Sequence, residues 1–270
     1  MAQATVQEIQ KASLDMLADF HDYCEKHGIV YFLSYGTALG AIRHHGFIPW
    51  DDDVDIDMHV DDIQKLITAW EQDGDKERYF LQTKQTDVYT PCPFIRLRKN
   101  HTTSMDEKRK NVPLHWGLPI DIFPVYNYPD DPSRAKKLEK LYRLAHKTSN
   151  FAFYHSEMPR FLHKLSIRAC IAVLKRMKKI SDAAGNSARL MYSSSKPVIS
   201  LVPREVYFPH RLLQFEDKQL YGMNQTEKYL EHEFGDYMTL PPVEKRVTHG
   251  GLVDLENDYT VYTRATDHPV

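Results

Sequence analysis

The sequence predicts a mixed α/β (α+β) fold, a sheet flanked by helices that also carries a basic helical insertion. Three observations lead there. Short β-branched or aromatic runs alternate with stretches of helical period through the first half of the chain, and Val54-Asp55-Ile56-Asp57-Met58 alternates apolar and acidic residues with a period of two, which fits a strand and cannot pattern a helix face. Beyond Pro132 a long Lys/Arg-rich stretch of helical period runs to about Ile180, with Pro159 as its one internal breaker. At 270 residues, 42% hydrophobic and 27% charged, the chain has the size of one large domain or a domain plus an insertion.

Taken in order, residues 6–26 place Ile9, Leu14, Leu17, Phe20 and Tyr23 at helical spacing, and His27-Gly28 is a good stop. The run from Ile29 to Leu33 reads as a buried strand, Ser34-Tyr35-Gly36-Thr37 as its exit turn, and Ala38 to His44 as a short helix. After the period-two strand, Asp61 is the expected cap of a helix over residues 63–71, with Gly74 past its end. Phe80-Leu81-Gln82 and residues 93–97 are further strands, and residues 118–124 form one bounded by Pro119 and Pro124. A Ser-rich passage at Ser193-Ser194-Ser195 leads to Val206-Tyr207-Phe208, and a helix over 227–234 turns at Gly235. The expected organisation is a catalytic core over 1–131, a helical insertion over 132–197 and a C-terminal block over 198–270 packed on the core.

Several function classes are excluded. The net charge of −2 gives no global field for nucleic acid. Cys24, Cys92 and Cys170 lack the spacing of a zinc or redox site and read as reduced buried thiols. The polar N-terminus and the lack of an apolar run of eighteen residues predict a cytoplasmic protein.

Asp51, Asp52, Asp53, Asp55 and Asp57 fall within seven residues. On a strand the odd-numbered members share one face, where they repel one another unless a cation sits among them. Hard carboxylate oxygens suit Mg²⁺ or Mn²⁺. An EF-hand is excluded, because Ile56 stands where its sharp turn needs Gly and Asp62 where it needs Glu. Gly36-Thr37 followed sixteen residues later by Asp53-Val54-Asp55 resembles the order in nucleotidyltransferase-fold enzymes. There a small-residue turn lets backbone amides and a hydroxyl approach phosphate, and strand carboxylates hold the bridging metal. Asp121 is the expected third carboxylate by its place in a neighbouring strand.

The full run SYGTALGAIRHHGFIPWDDDVDI, residues 34–56, is far more specific and resembles the signature of the LicD family, which is related to fukutin-type proteins. Ile120-Asp121-Ile122-Phe123-Pro124 resembles its second block, and the segment from Tyr229 through Gly235-Asp236-Tyr237-Met238 to Glu244-Lys245-Arg246 its third. The resemblance implies transfer of phosphocholine from CDP-choline, or of a related group from another CDP-alcohol, to a sugar hydroxyl. The acceptor would be a cell-surface glycan of teichoic acid or lipopolysaccharide type, or its lipid-linked precursor. A nucleotidyl transferase and an inactive membrane-associated scaffold are the alternatives.

Under this reading Asp53, Asp55 and Asp121 are the catalytic and metal-holding residues, with Asp121 as ligand or general base. Gly36 and Thr37 face the donor phosphates, and Arg43 either reaches them too or forms a salt bridge to the acidic cluster; His44 and His45 are either proton shuttles or surface residues. Arg96 and Arg98, at alternate strand positions, are candidates for nucleotide phosphates, and Trp50, Trp116, Tyr126 and Tyr128 for choline or nucleotide contacts. Glu231, Asp236 and Lys245 are left without a role.

Between Arg134 and Lys179 thirteen Lys or Arg residues stand against Glu139 and Glu157. On a helix, Arg160, Lys164, Arg168, Lys175 and Lys179 form one stripe, and Leu162, Leu165, Ala169, Val173 and Met177 the opposite one. Such a helix either packs its apolar stripe on its own core or lies peripherally on an anionic membrane surface.

Overall fold

The computed structural model describes residues 3–90, 94–155, 159–193, 199–248 and 250–263, without the side chains of residues 152 and 160. Cys92, Pro93, Ser194, Ser195 and Glu157 lie outside the described residues, as does the Arg160 side chain. Cys24 and Cys170 are buried free thiols.

Helix α1 (Val6–His27) opens on a capping box, in which Thr5 Oγ1 accepts from the Glu8 N–H and the Glu8 carboxylate accepts from the Thr5 N–H at 2.8 Å. It ends on Gly28 at φ 60°, a left-handed cap that suits Gly. Strand β1 (Tyr31–Leu33) follows, fully buried, and then α2 (Tyr35–Arg43). The predicted exit turn at residues 34–37 is therefore helical from Tyr35 onward: Ser34 is the cap, and the Ala38 N–H already bonds to the Ser34 carbonyl. Strand β2 (Asp55–His59) runs into α3 (Val60–Asp73), whose cap is His59 rather than Asp61. His59 Nδ1 accepts the Asp61 N–H, and Asp61 sits in the first turn, where an acid suits the helix dipole.

Strands β3 (Tyr79–Gln82), β4 (Ile95–Lys99), β5 (Thr103–Met105) and β6 (Leu118–Tyr128) come next. The prolines do not bound β6. Pro124 falls between Ile122, the last residue paired with β4, and Tyr126, the first paired with a later strand over Arg189–Ser193, so its missing N–H interrupts neither ladder. Helices α4 (Pro132–Tyr154) and α5 (Arg160–Ala184) precede β7 (Arg189–Ser193), β8 (Ile199–Pro203) and the short α6 (Arg204–Tyr207). A hairpin of β9 (Arg211–Phe215) and β10 (Lys218–Gly222), then α7 (Thr226–Phe234) and β11 (Leu252–Asp254), complete the described chain.

Among the described residues the main sheet has seven strands, in the order β1-β2-β6-β4-β3, with β7 joining β6 and β8 joining β7. β2 and β6 run parallel, and the other pairs are antiparallel. The mixed α/β class expected from the sequence is the class observed. The main core lies between this sheet, α1 and α2, and holds Phe20, Phe32, Ile56 and Ile122. A second core joins Leu138 and Tyr142 of α4 to Met177 of α5 and Met191 of β7, so the helical pair rests on the sheet.

The side of α5 that is buried differs from the predicted stripe. Val173 and Met177 are buried, but with His163, Ile167 and Cys170, whereas Leu165 is 62% exposed and Ala169 lies on the surface. Helix α4 is the cause. It takes up the side of α5 that carries Cys170, whose Sγ lies 4.0 Å from the Ala145 carbonyl, and this rotates the apolar and basic residues of the first turns outward together.

Candidate active site

Three neighbouring strands build the site. Asp55 of β2 pairs with Asp121 of β6, and Asp121 pairs with Arg96 of β4, so the three side chains form a row across one face of the sheet. Arg96 grips Asp121 with two donors, Nε to Oδ1 at 2.6 Å and an Nη to Oδ2 at 3.2 Å, in a largely buried fork. Its guanidinium also lies 4.6 Å over the Phe94 ring. Arg98, two residues on, is fully committed inside the fold: Nε donates to Gln82 Oε1 and Nη1 to the Gly117 carbonyl. Burial, with Arg96 next to it, pulls its pKa down to about 9.

Asp55 sits among like charges at low exposure. Its carboxyl is held well above the usual carboxylate range, first by burial and then by Asp53, Asp121, Asp51 and Asp57. Asp57 is completely buried further along β2, and burial raises its pKa to about 7 against the opposing pull of the Tyr207 and Ser34 hydroxyls. Tyr207 donates to Asp57 Oδ2 at 2.6 Å. Asp57 thus anchors β2 in the interior, on the same face as Asp55 but beyond the cavities described below.

Two cavities meet at this row. The first, of about 650 Å³, is lined by Asp51, Asp53 and Asp55 together with Tyr35, Gly36, Arg43, Trp50, Phe123 and the C-terminal residues Asp236 and Tyr237. The second, of about 490 Å³, is lined by Asp52, Asp53, Asp121, Arg96, Arg98, Lys108, Trp116 and Phe153. Asp53 faces both, Asp55 the first and Asp121 the second.

The predicted residues sort accordingly. A Cβ on Gly36 would lie 2.6 Å from Asp51 Oδ2, so the absent side chain is what lets Asp51 pack on the first turn of α2. Thr37 is buried, and its Oγ1 accepts the Asp55 N–H at 2.9 Å, so this hydroxyl positions β2 instead of facing the first cavity. Arg43 lines the first cavity and donates to the Tyr237 carbonyl at 2.7 Å. Trp50 lines it too, and the Arg246 guanidinium stacks 5.1 Å from its ring. Trp116 is buried at the second cavity, with its indole N–H given to the Val112 carbonyl. Tyr126 and Tyr128 belong to the core under the helical pair, and the Tyr128 hydroxyl donates to Glu139. His44 stands edge-on to Trp50 at 6.3 Å, its pKa lowered by burial and by Arg43, while His45 is exposed. Asp236, left open above, lines the first cavity and accepts from Thr239 Oγ1.

The sequence reading missed Tyr35, which lines the first cavity. Its φ of 42° is rare for a residue with a side chain, and its hydroxyl donates to the Ser193 carbonyl at 2.6 Å while its N–H bonds to the Tyr229 hydroxyl. Its place before Gly36 was the only available signal.

The carboxylate set has the hard-oxygen chemistry that suits Mg²⁺ or Mn²⁺, and the raised Asp55 carboxyl is the kind of group that a divalent cation relieves. Among the described residues, no three His, Cys, Asp or Glu side chains converge as a ready-made metal cage.

Residues 28–159 match the family described as LicD/FKTN/FKRP, nucleotidyltransferase domain. The chain is 30% identical over 276 residues to the lipopolysaccharide cholinephosphotransferase LicD of Haemophilus influenzae, covering 92% of this chain and 97% of that protein. It is 34% identical over 124 residues to the uncharacterized protein RP689 of Rickettsia prowazekii, 42% of this chain and 44% of that one. A stretch of 39 residues is 46% identical to the human ribitol 5-phosphate transferase FKRP, 14% of this chain and 8% of that one. With a matching domain and 30% identity along nearly the whole length of both proteins, the chain belongs to the LicD family.

Proposed function

We propose that this phosphotransferase moves phosphocholine from CDP-choline to a sugar hydroxyl of a lipopolysaccharide-type glycan, releasing CMP. The observation that carries the reading is the division of the acidic row between two cavities, with Asp55 on the first, Asp121 on the second and Asp53 on both. Such a row serves an in-line displacement, in which the acceptor oxygen and the departing CMP lie on opposite sides of the phosphorus. The name of the Haemophilus relative supports phosphocholine and the acceptor class.

In this reading the donor lies in the first cavity. Gly36 and the first turn of α2 offer backbone N–H groups to its phosphates. Trp50 offers an aromatic face of the kind that attracts a quaternary ammonium, a face now stacked with the Arg246 cation. The acceptor enters by the second cavity. Asp121, held in orientation by Arg96, takes the proton from the acceptor hydroxyl as its oxygen bonds to the phosphorus bearing choline. The bond from that phosphorus to the bridging oxygen breaks, and CMP leaves with the electron pair. Asp53 and Asp55 would hold Mg²⁺ or Mn²⁺, which when bound supplies charge neutralisation at the phosphates.

The test is product identification by mass spectrometry after incubation with lipopolysaccharide-type acceptor and a panel of CDP-alcohols. Phosphocholine on the glycan together with CMP is the expected result. A glycan bearing another phosphoalcohol would overturn the choline assignment, and a nucleotidylated glycan would overturn the transferred group.

A further inference from the structure

We propose that the outward face of the α4–α5 pair is a docking surface for an anionic lipid membrane. The burial pattern is the starting point. At the start of α5, Phe161 is 69% and Leu165 62% exposed, and Lys164 and Arg168 each follow one of them at the i+3 spacing that shares a helix face. At the end of α4, Phe151 and Tyr154 are exposed one to three turns beyond Lys147 and Arg143, again on one face. Large apolar side chains are thus interleaved with cations instead of being separated from them.

Acids are nearly excluded from this face. In the described helices they are Glu139, which accepts from Tyr128 and lies 3.9 Å from Arg143, and Asp182, which is paired with Lys178. Aromatic and aliphatic groups that enter the headgroup boundary, surrounded by Lys and Arg, are the chemistry of an interfacial helix on anionic lipid. Two such faces repel each other, which argues against a second copy as the occupant. The apolar residues at the tip likewise argue against nucleic acid.

The position also connects to the site. Arg109 stacks on both Phe153 and Tyr154, at 4.6 and 4.3 Å, so the exposed tip is tied to the wall of the second cavity, which Phe153 lines. A lipid-borne glycan would meet that cavity where the protein meets the bilayer. The docking claim itself does not depend on the transfer reading.

The experiment is flotation of the full chain with vesicles of phosphatidylglycerol and phosphatidylcholine, against vesicles of phosphatidylcholine alone, with no donor present. Two variants are compared, Phe161→Ser with Leu165→Ser and Lys164→Glu with Arg168→Glu; all four positions are exposed, and thermal unfolding checks that the fold is kept. The wild type is expected to float with anionic vesicles only and to be released by salt, and each variant to bind at least about tenfold more weakly. Equal binding to neutral vesicles, or wild-type binding by either variant, overturns the proposal. So does concentration-dependent self-association that the serine variant abolishes without any vesicle binding.

Discussion

The acidic row of the sheet and the outward face of the α4–α5 pair handle charge in opposite ways. In the row, Asp53, Asp55 and Asp121 are brought together in a half-buried place, with one cation, Arg96, locked onto Asp121. On the helices, cations are spread over solvent, and among the described residues Arg143 and Lys178 are the ones paired with acids. Charge confined at low dielectric acts strongly on its neighbours, and the same charge in water acts weakly until a partner arrives. The row should therefore respond sharply to single substitutions that the helical face tolerates.

The largest effect is expected at Asp55. Burial, and after it crowding by like charges, raises its carboxyl, and an acid with a raised folded-state pKa lowers stability as pH rises above its unfolded value near 4. Asp55→Asn should therefore raise the melting temperature of the metal-free protein at neutral pH while cutting transfer by about a hundred- to a thousand-fold. A lower melting temperature would break the contrast. Next, Arg96→Ala leaves Asp121 half-buried without its fork and should cost about 3 kcal/mol in urea unfolding, the low end for breaking a buried pair. An undestabilised variant would show that the row is more solvated than its geometry implies.

A smaller effect belongs to Trp50. Trp50→Ala should raise KM for the choline donor about tenfold with kcat little changed, the size of one cation–π contact. Asp254 sharpens the comparison from the other side, since it is a carboxylate among donors instead of among carboxylates. The Tyr262 hydroxyl, Asn257 and the Glu256 N–H hold its pKa down to about 2. Its contribution to stability is present above pH about 4 and is lost as pH falls through about 2, so Asp254→Asn should flatten acid unfolding in that window. The smallest effect is expected for Lys175→Gln and Lys179→Gln on α5, within about 0.5 kcal/mol in thermal unfolding.

The same contrast explains what could be read from the sequence. The β2 strand was legible because a period of two fixes which side chains share a face, and Asp55 and Asp121 do fall side by side. The fork from Arg96 was not, because cross-strand register depends on where β4 begins, and no local pattern encodes that. Thr37 was placed in a turn because small residues usually signal one, yet Ser34 caps a helix there and the Thr37 hydroxyl is drawn to Asp55. On α5 the periodicity identified a helix but misassigned its buried side, because α4, a long-range partner, chose which residues to cover. Tyr35 reaches the site through backbone geometry, and Tyr207 anchors Asp57 through a contact 150 positions away, neither of which leaves a periodic trace.

The most direct measurement is CMP release from CDP-choline in the presence of glycan acceptor, by wild type and by Asp55→Asn, each with Mg²⁺ and with EDTA. The account predicts acceptor-dependent release by the wild type with Mg²⁺, its loss in EDTA, and its loss in a variant that remains folded. Release by Asp55→Asn at the wild-type rate, or by the wild type undiminished in EDTA, would contradict it.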